Sequence, residues 1–94
     1  MPKYKVVVHK KAHRFLLQIK SENIKNAIKN VMAKLENYPF TLKEMDVTKI
    51  RGLERTFRVR IGNYRIIFYV EKAEKTIYVT HIETRRKAYK KLRN

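Results

Sequence analysis

The sequence predicts an α+β fold of order β-α-α-β-β-β-α, with an N-terminal helical hairpin packed on one face of a mainly antiparallel sheet. Three observations predict it. Apolar residues recur at helical spacing on both sides of Ser21. Phe57, Val59 and Ile61 alternate with Arg58 and Arg60 and run into the turn dipeptide Gly62-Asn63. A short β-rich segment, residues 4–8, lies far in sequence from that strand meander. Helices grouped ahead of consecutive strands, rather than alternating with them, give a sheet with its helices on one side.

Residues 4–8 carry Lys5 as their only charge and read as a strand with at least one buried face. His9-Lys10-Lys11 opens a helix whose Ala12, Phe15, Leu16 and Ile19 fall at i, i+3, i+4 and i+7. Ser21 is a good N-cap, and Glu22 follows where a negative charge meets the positive end of the helix dipole. The second helix is expected over residues 22–38, with Ile24, Ile28, Val31 and Leu35 as its stripe and Pro39 as its stop. So short a turn between two helices implies an antiparallel hairpin.

Residues 40–46 read as a connecting loop and 47–50 as a short strand. Residues 55–61 form an alternating strand, joined through Gly62-Asn63 to a second strand over 64–71. That second strand is apolar on both faces apart from Arg65, so it belongs in the middle of the sheet. Residues 76–83 make the last strand, with His81 in phase with Ile77 and Val79 and so expected at the core or its rim. Residues 84–92 form a basic helical tail.

Ninety-four residues make one domain, 1–94, and 44% apolar content supports one modest core. With no cysteine there is no disulfide framework or zinc-finger spacing. The N-terminus lacks the apolar run of a signal peptide, and no stretch approaches a membrane span. The expectation is a cytoplasmic protein without a membrane partner. Twenty-four Lys and Arg against eight Asp and Glu leave a net charge of +16. A thermophilic surface would mix the signs. A three-to-one basic excess on a folded surface points instead to a polyanion, nucleic acid above all.

Arg58 and Arg60 leave the same face of their strand, roughly 7 Å apart. Arg65 comes close to Arg60 across the turn. Arg65 also interrupts an apolar strand, where a charge needs a specific partner. Arg51 ends the preceding segment, and Arg85, Arg86 and Tyr89 mark the tail, with Tyr89 four residues after Arg85 on one helix face. Guanidinium forks match phosphate oxygens and stay charged, and tyrosine rings offer stacking faces for unpaired bases. His9 and His13 are four apart, but no H-E-x-x-H arrangement surrounds them and no metal site is expected. No cofactor is expected either, since no glycine-rich phosphate loop is present.

Lys49-Ile50-Arg51-Gly52-Leu53, the hairpin from Phe57 to Phe68, and Thr84-Arg85-Arg86-Lys87-Ala88-Tyr89 together resemble the RelE/ParE superfamily of toxin–antitoxin systems. The likeness covers almost the whole chain and is nearest to RelE-type mRNA interferases. It implies a toxin that enters the ribosomal A site and cuts mRNA there, without a metal, by attack of the 2′-hydroxyl on the adjacent phosphorus. It also implies an acidic, RelB-like antitoxin as partner. On that resemblance Arg65 and Arg85 clamp the phosphate, Tyr89 orients or stacks the nucleotide, and Arg58 and Arg60 line the site. Lys49, Arg51, Tyr64 and Arg86 are the expected RNA contacts. RelE-type sites place lysines where this chain has Arg58 and Arg60, and an arginine does not give or take a proton. The general base is therefore open among Glu54, Tyr64, His81 and Tyr89. Two other readings stand beside this one: a ParE-like inhibitor of DNA gyrase, and a non-catalytic RNA- or DNA-binding domain.

Overall fold

The computed structural model describes residues 3–84. Strand β1 (Lys5–Val8) leads into helices α1 (Lys10–Leu17) and α2 (Glu22–Lys34). Strands β2 (Val47–Lys49), β3 (Thr56–Ile61), β4 (Tyr64–Glu71) and β5 (Thr76–Thr84) follow. The strand order carries one strand more after the helices than the expected β-α-α-β-β-β-α, because the short segment at 47–49 pairs as β2, and the five strands form one sheet in the order β1-β5-β4-β3-β2. All neighbours are antiparallel except β1, which pairs parallel to β5. The expected tail helix, with Arg85, Arg86 and Tyr89, lies outside the described residues.

Local chemistry sets the helix boundaries. The His9 ring Nδ1 accepts a hydrogen bond from the Lys11 N–H at 3.2 Å and caps α1. Ser21 Oγ accepts from the Ile24 N–H at 3.3 Å and caps α2, with Glu22 in its first turn and Lys34 in its last. Both charges oppose the helix dipole favourably. The helix expected to reach residue 38 stops at Lys34 and tightens into a 3-10 turn over Leu35–Asn37. Pro39 bars Tyr38 from helical geometry, and the turn before it satisfies backbone carbonyls in the tighter pattern. The segment expected as a loop over 40–46 holds a further 3-10 turn, Phe40–Glu44.

The core fills the space between helices and sheet. Ala12, Leu16 and Ile19 meet Ile28, Leu35, Val59, Ile66, Phe68, Val70, Ile77, Val79 and Ile82, all buried. Helix α1 lies against β5 and α2 against β3. Phe68 in the central strand is completely buried and stacks on Phe57 at 5.3 Å. Each such side chain contributes about 1.5–3 kcal/mol of burial free energy.

One irregularity decides which side chains share the opposite face, which the described helices leave uncovered. Ile67 pairs with His81, but the next residue, Phe68, pairs with Val79. Thr80 is thus an extra residue in β5, a β-bulge. Ile77 and Val79 face the core before it and Ile82 after it. His81, expected at the core or its rim, is exposed on the uncovered face. The sequence alternation continues through the bulge unchanged, but the bulge shifts the side-chain phase by one.

Candidate functional site

Register brings the predicted arginines of the hairpin together. Ile61 and Tyr64 close a two-residue turn, in which Gly62 has φ +57° and Asn63 a non-positive φ. That sign pattern belongs to the type II′ turn, whose first central position favours glycine. The turn places Arg60 directly opposite Arg65 and Arg58 opposite Ile67. In-register partners point to the same face, here the one away from the helices. Asp46, Thr48, Arg58, Arg60 and Arg65 line a cleft of about 320 Å³ there.

Asp46 restrains Arg60 within the cleft. The Arg60 backbone N–H donates to the Asp46 carbonyl, and its Nε donates to Asp46 Oδ2, both at 2.9 Å. The two side chains are 56% and 55% exposed, so the pair adds at most about 1 kcal/mol of stability. Its effect is to fix the guanidinium. Like charges directly opposite one another in a sheet are destabilising, by the same few tenths to about 1 kcal/mol that a good pair contributes. An anion between Arg60 and Arg65 reverses the sign of that interaction. Arg65 and Arg58 are half-buried, and Glu83 is the in-register neighbour of Arg65 on β5.

Other predicted residues separate from this cleft. Lys49 and Arg51 line a second depression, of about 480 Å³, with Ile50, Gly52, Leu53 and Glu54 in the β2–β3 loop. Tyr64 packs edge-on to Phe15 of α1 at 6.2 Å and so lies on the helix side of the sheet. The structure does not bring it to the arginines. Asp46 and Thr48, which sequence reasoning did not single out, complete the cleft wall. Only the β2–β3 register reveals Asp46, whereas Thr48 follows from its place one residue after the inward Val47.

Farther along the same face, Tyr69 and Tyr78 stack at 6.3 Å. Their hydroxyls donate to Glu71 Oε2 at 2.8 Å and Glu74 Oε1 at 2.9 Å. Those hydrogen bonds to carboxylates raise both phenol pKa values above the ordinary tyrosine range, so neither ring is a base at neutral pH. Among the described residues no group of three or more His, Asp or Glu is placed to hold a metal ion. No described helix is long and apolar enough to cross a membrane.

Residues 6–89 match the family model described as the ParE toxin of the type II toxin–antitoxin system parDE. The chain belongs to the RelE/ParE toxin superfamily. Among its RelE/ParE relatives, the RelE1 protein of Methanocaldococcus jannaschii is 28% identical over 88 residues, 94% of this chain and 97% of that protein. The fold superposes on the archaeal RelE–RelB complex of Pyrococcus horikoshii with a TM-score of 0.77 and 26% identity, covering 90% of this chain and 97% of that one. The RelB–RelE antitoxin–toxin complex of Methanococcus jannaschii gives a TM-score of 0.75 and 25% identity, over 89% and 95% of the two chains. The superfamily assignment and the α+β architecture expected from the sequence are both borne out.

Proposed function

We propose that this RelE/ParE chain cuts mRNA on the ribosome as the toxin of a toxin–antitoxin pair. The observation that carries this reading is the in-register pair Arg60 and Arg65, with Arg58 beside it, on the uncovered sheet face. A single-stranded RNA laid over the cleft meets fixed positive charge at the scissile phosphate. The 2′-hydroxyl attacks in line, and the guanidiniums stabilise the charge that builds on the phosphorane oxygens. Such preorganised donors contribute about 2.7–4 kcal/mol each in comparable sites. In this reading Arg85 clamps the phosphate with Arg65, Tyr89 orients the nucleotide, and Arg86 adds an RNA contact. Lys49 and Arg51, one loop away, hold a flanking stretch of the strand. The charge stabilisation comes from arginines, so the step requires no metal.

The partner that silences it is an acidic antitoxin. A +16 chain attracts such a partner over a long range, and similar archaeal chains are solved as RelE–RelB complexes. The test is translation on purified ribosomes programmed with one defined mRNA. Cleavage at codon positions in the A site, with a 2′,3′-cyclic phosphate product that survives added chelator, is expected. Intact mRNA after full ribosome loading overturns the reading.

The family model's description favours a second reading, a ParE-like inhibitor of DNA gyrase. A supercoiling assay separates the two. Inhibition of gyrase with mRNA left whole selects the second.

A further inference from the structure

We propose that His81 is the general base of the RNA-cleavage step, aimed at the substrate by the bulge at Thr80. This rests on the cleavage reading above. Three features support it together.

The first is placement. Arg58, Ile67 and His81 stand in one row across β3, β4 and β5, because Arg58 pairs with Ile67 and Ile67 with His81. Neighbouring strands lie about 4.8 Å apart, so the Arg58 and His81 backbones are about 10 Å apart with the floor of Ile67 between them. A nucleotide on that floor is reached by a guanidinium from one side and an imidazole from the other. Without the extra residue Thr80, His81 would point to the helices. Bulges re-aim side chains in this way beside active sites.

The second is the ring's tautomer. Thr80 Oγ1 donates its one proton to the Ile67 carbonyl at 3.3 Å. The same oxygen lies 3.0 Å from His81 Nδ1. With that proton on the carbonyl, the hydroxyl accepts from Nδ1, which assigns the ring hydrogen to Nδ1 in this proposal. Nε2 then presents its lone pair outward. A base held in one tautomer by a third group is the arrangement that nucleophile activation requires.

The third is chemistry. The arginines supply charge but exchange no proton. Nε2 of His81 takes the proton of the 2′-hydroxyl as the O2′–P bond forms. The P–O5′ bond breaks, the 5′-oxygen takes a proton from solvent, and the imidazolium later returns its own to solvent. By register, the charged and titratable groups at neighbouring positions are Arg65 and Tyr69 on β4, Tyr78 and Glu83 on β5 and Arg58 on β3, while His9, just past β1, bonds its N–H to the Val79 carbonyl.

The test measures single-turnover cleavage of ribosome-bound mRNA between about pH 5 and 8, the range in which imidazoles titrate. The parent should gain rate as pH rises and then level off. His81→Gln should lose about 10²-fold or more and lose that acidic limb. Thr80→Val, which keeps the imidazole but not its anchor, should lose less, and Thr80→Ser should restore the parent. Binding to mRNA with a 2′-deoxy scissile nucleotide should be unchanged in all three. Nitrogen NMR of the free protein should find the His81 hydrogen on Nδ1. If the parent cuts and His81→Gln keeps both rate and acidic limb, the assignment to His81 is wrong while the cleavage reading stands. A hydrogen found on Nε2 also overturns it. If the parent itself leaves mRNA whole, the cleavage reading fails, and the base with it.

Discussion

Arg60 and Arg65 face one another across a two-residue turn, and Asp46 holds Arg60 by a side-chain contact at 2.9 Å. Arg60 is thereby fixed by the protein, and Arg65 sits at the start of the central strand beside it. Two guanidiniums in register on one face are well placed to grip one phosphate from both sides.

Replacement of Arg65 or Arg85 by alanine should therefore cost activity rather than fold. Loss of one charge-assisted phosphate contact lowers cleavage by about 10²–10³-fold. The melting temperature should stay within a few degrees of the parent. Lys34→Ala, in the last turn of α2, is the control and should cut normally. Unfolding of Arg65→Ala, seen by circular dichroism, would show that its role is structural.

Asp46→Asn should change stability by less than about 1 kcal/mol, because the pair it breaks is exposed. It should tighten single-stranded RNA binding at low salt. One more free cation steepens the slope of log K against log salt by up to about 0.7. A fluorescence titration at several salt concentrations reads both numbers.

Gly62→Ala should destabilise the hairpin by about 1–2 kcal/mol, since φ is +57° there. Space is not the obstacle. The nearest atom to an added Cβ is Ile24 Cδ1 at 3.7 Å, an ordinary contact. A urea titration with an unchanged m-value gives the cost directly.

Stability should fall in alkali through Tyr69 and Tyr78. Their hydrogen bonds to Glu71 and Glu74 raise both folded-state pKa values, so the folded chain holds its phenol protons longer than the unfolded one. This contribution is complete below about pH 10, the unfolded tyrosine value, and is lost as pH rises through the folded values. The double change Tyr69→Phe and Tyr78→Phe should flatten the loss of melting temperature above about pH 10.

Much of this was legible in the sequence where one element settled its own form. The Ser21 cap, the stripe through Ile28 and Leu35, and the alternation of Phe57, Val59 and Ile61 needed no partner to be read. Arg60 and Arg65 could be matched because a two-residue turn fixes register by itself. The residues that escaped depend on a second strand. Asp46 meets Arg60 only once β2 is set beside β3. His81 changed sides because β5 takes up an extra residue against β4, and alternation alone carries no mark of that. Tyr64 lies opposite Ile61 and so follows the core phase, against the expectation that it meets RNA.

The parallel pairing of β1 with β5 has a consequence for how the molecule comes into being on the ribosome. Lys5 pairs with Thr76, and α1 packs chiefly on the same late strand, with Phe15 also meeting Tyr64 of β4. Contacts between sequence-distant segments form slowly, because the chain between them must first be ordered. A nascent chain that stops short of β5 leaves β1 without its partner strand, α1 without most of its bed and His81 not yet made. The row that joins Arg58, Ile67 and His81 is therefore assembled only once β5 has been made.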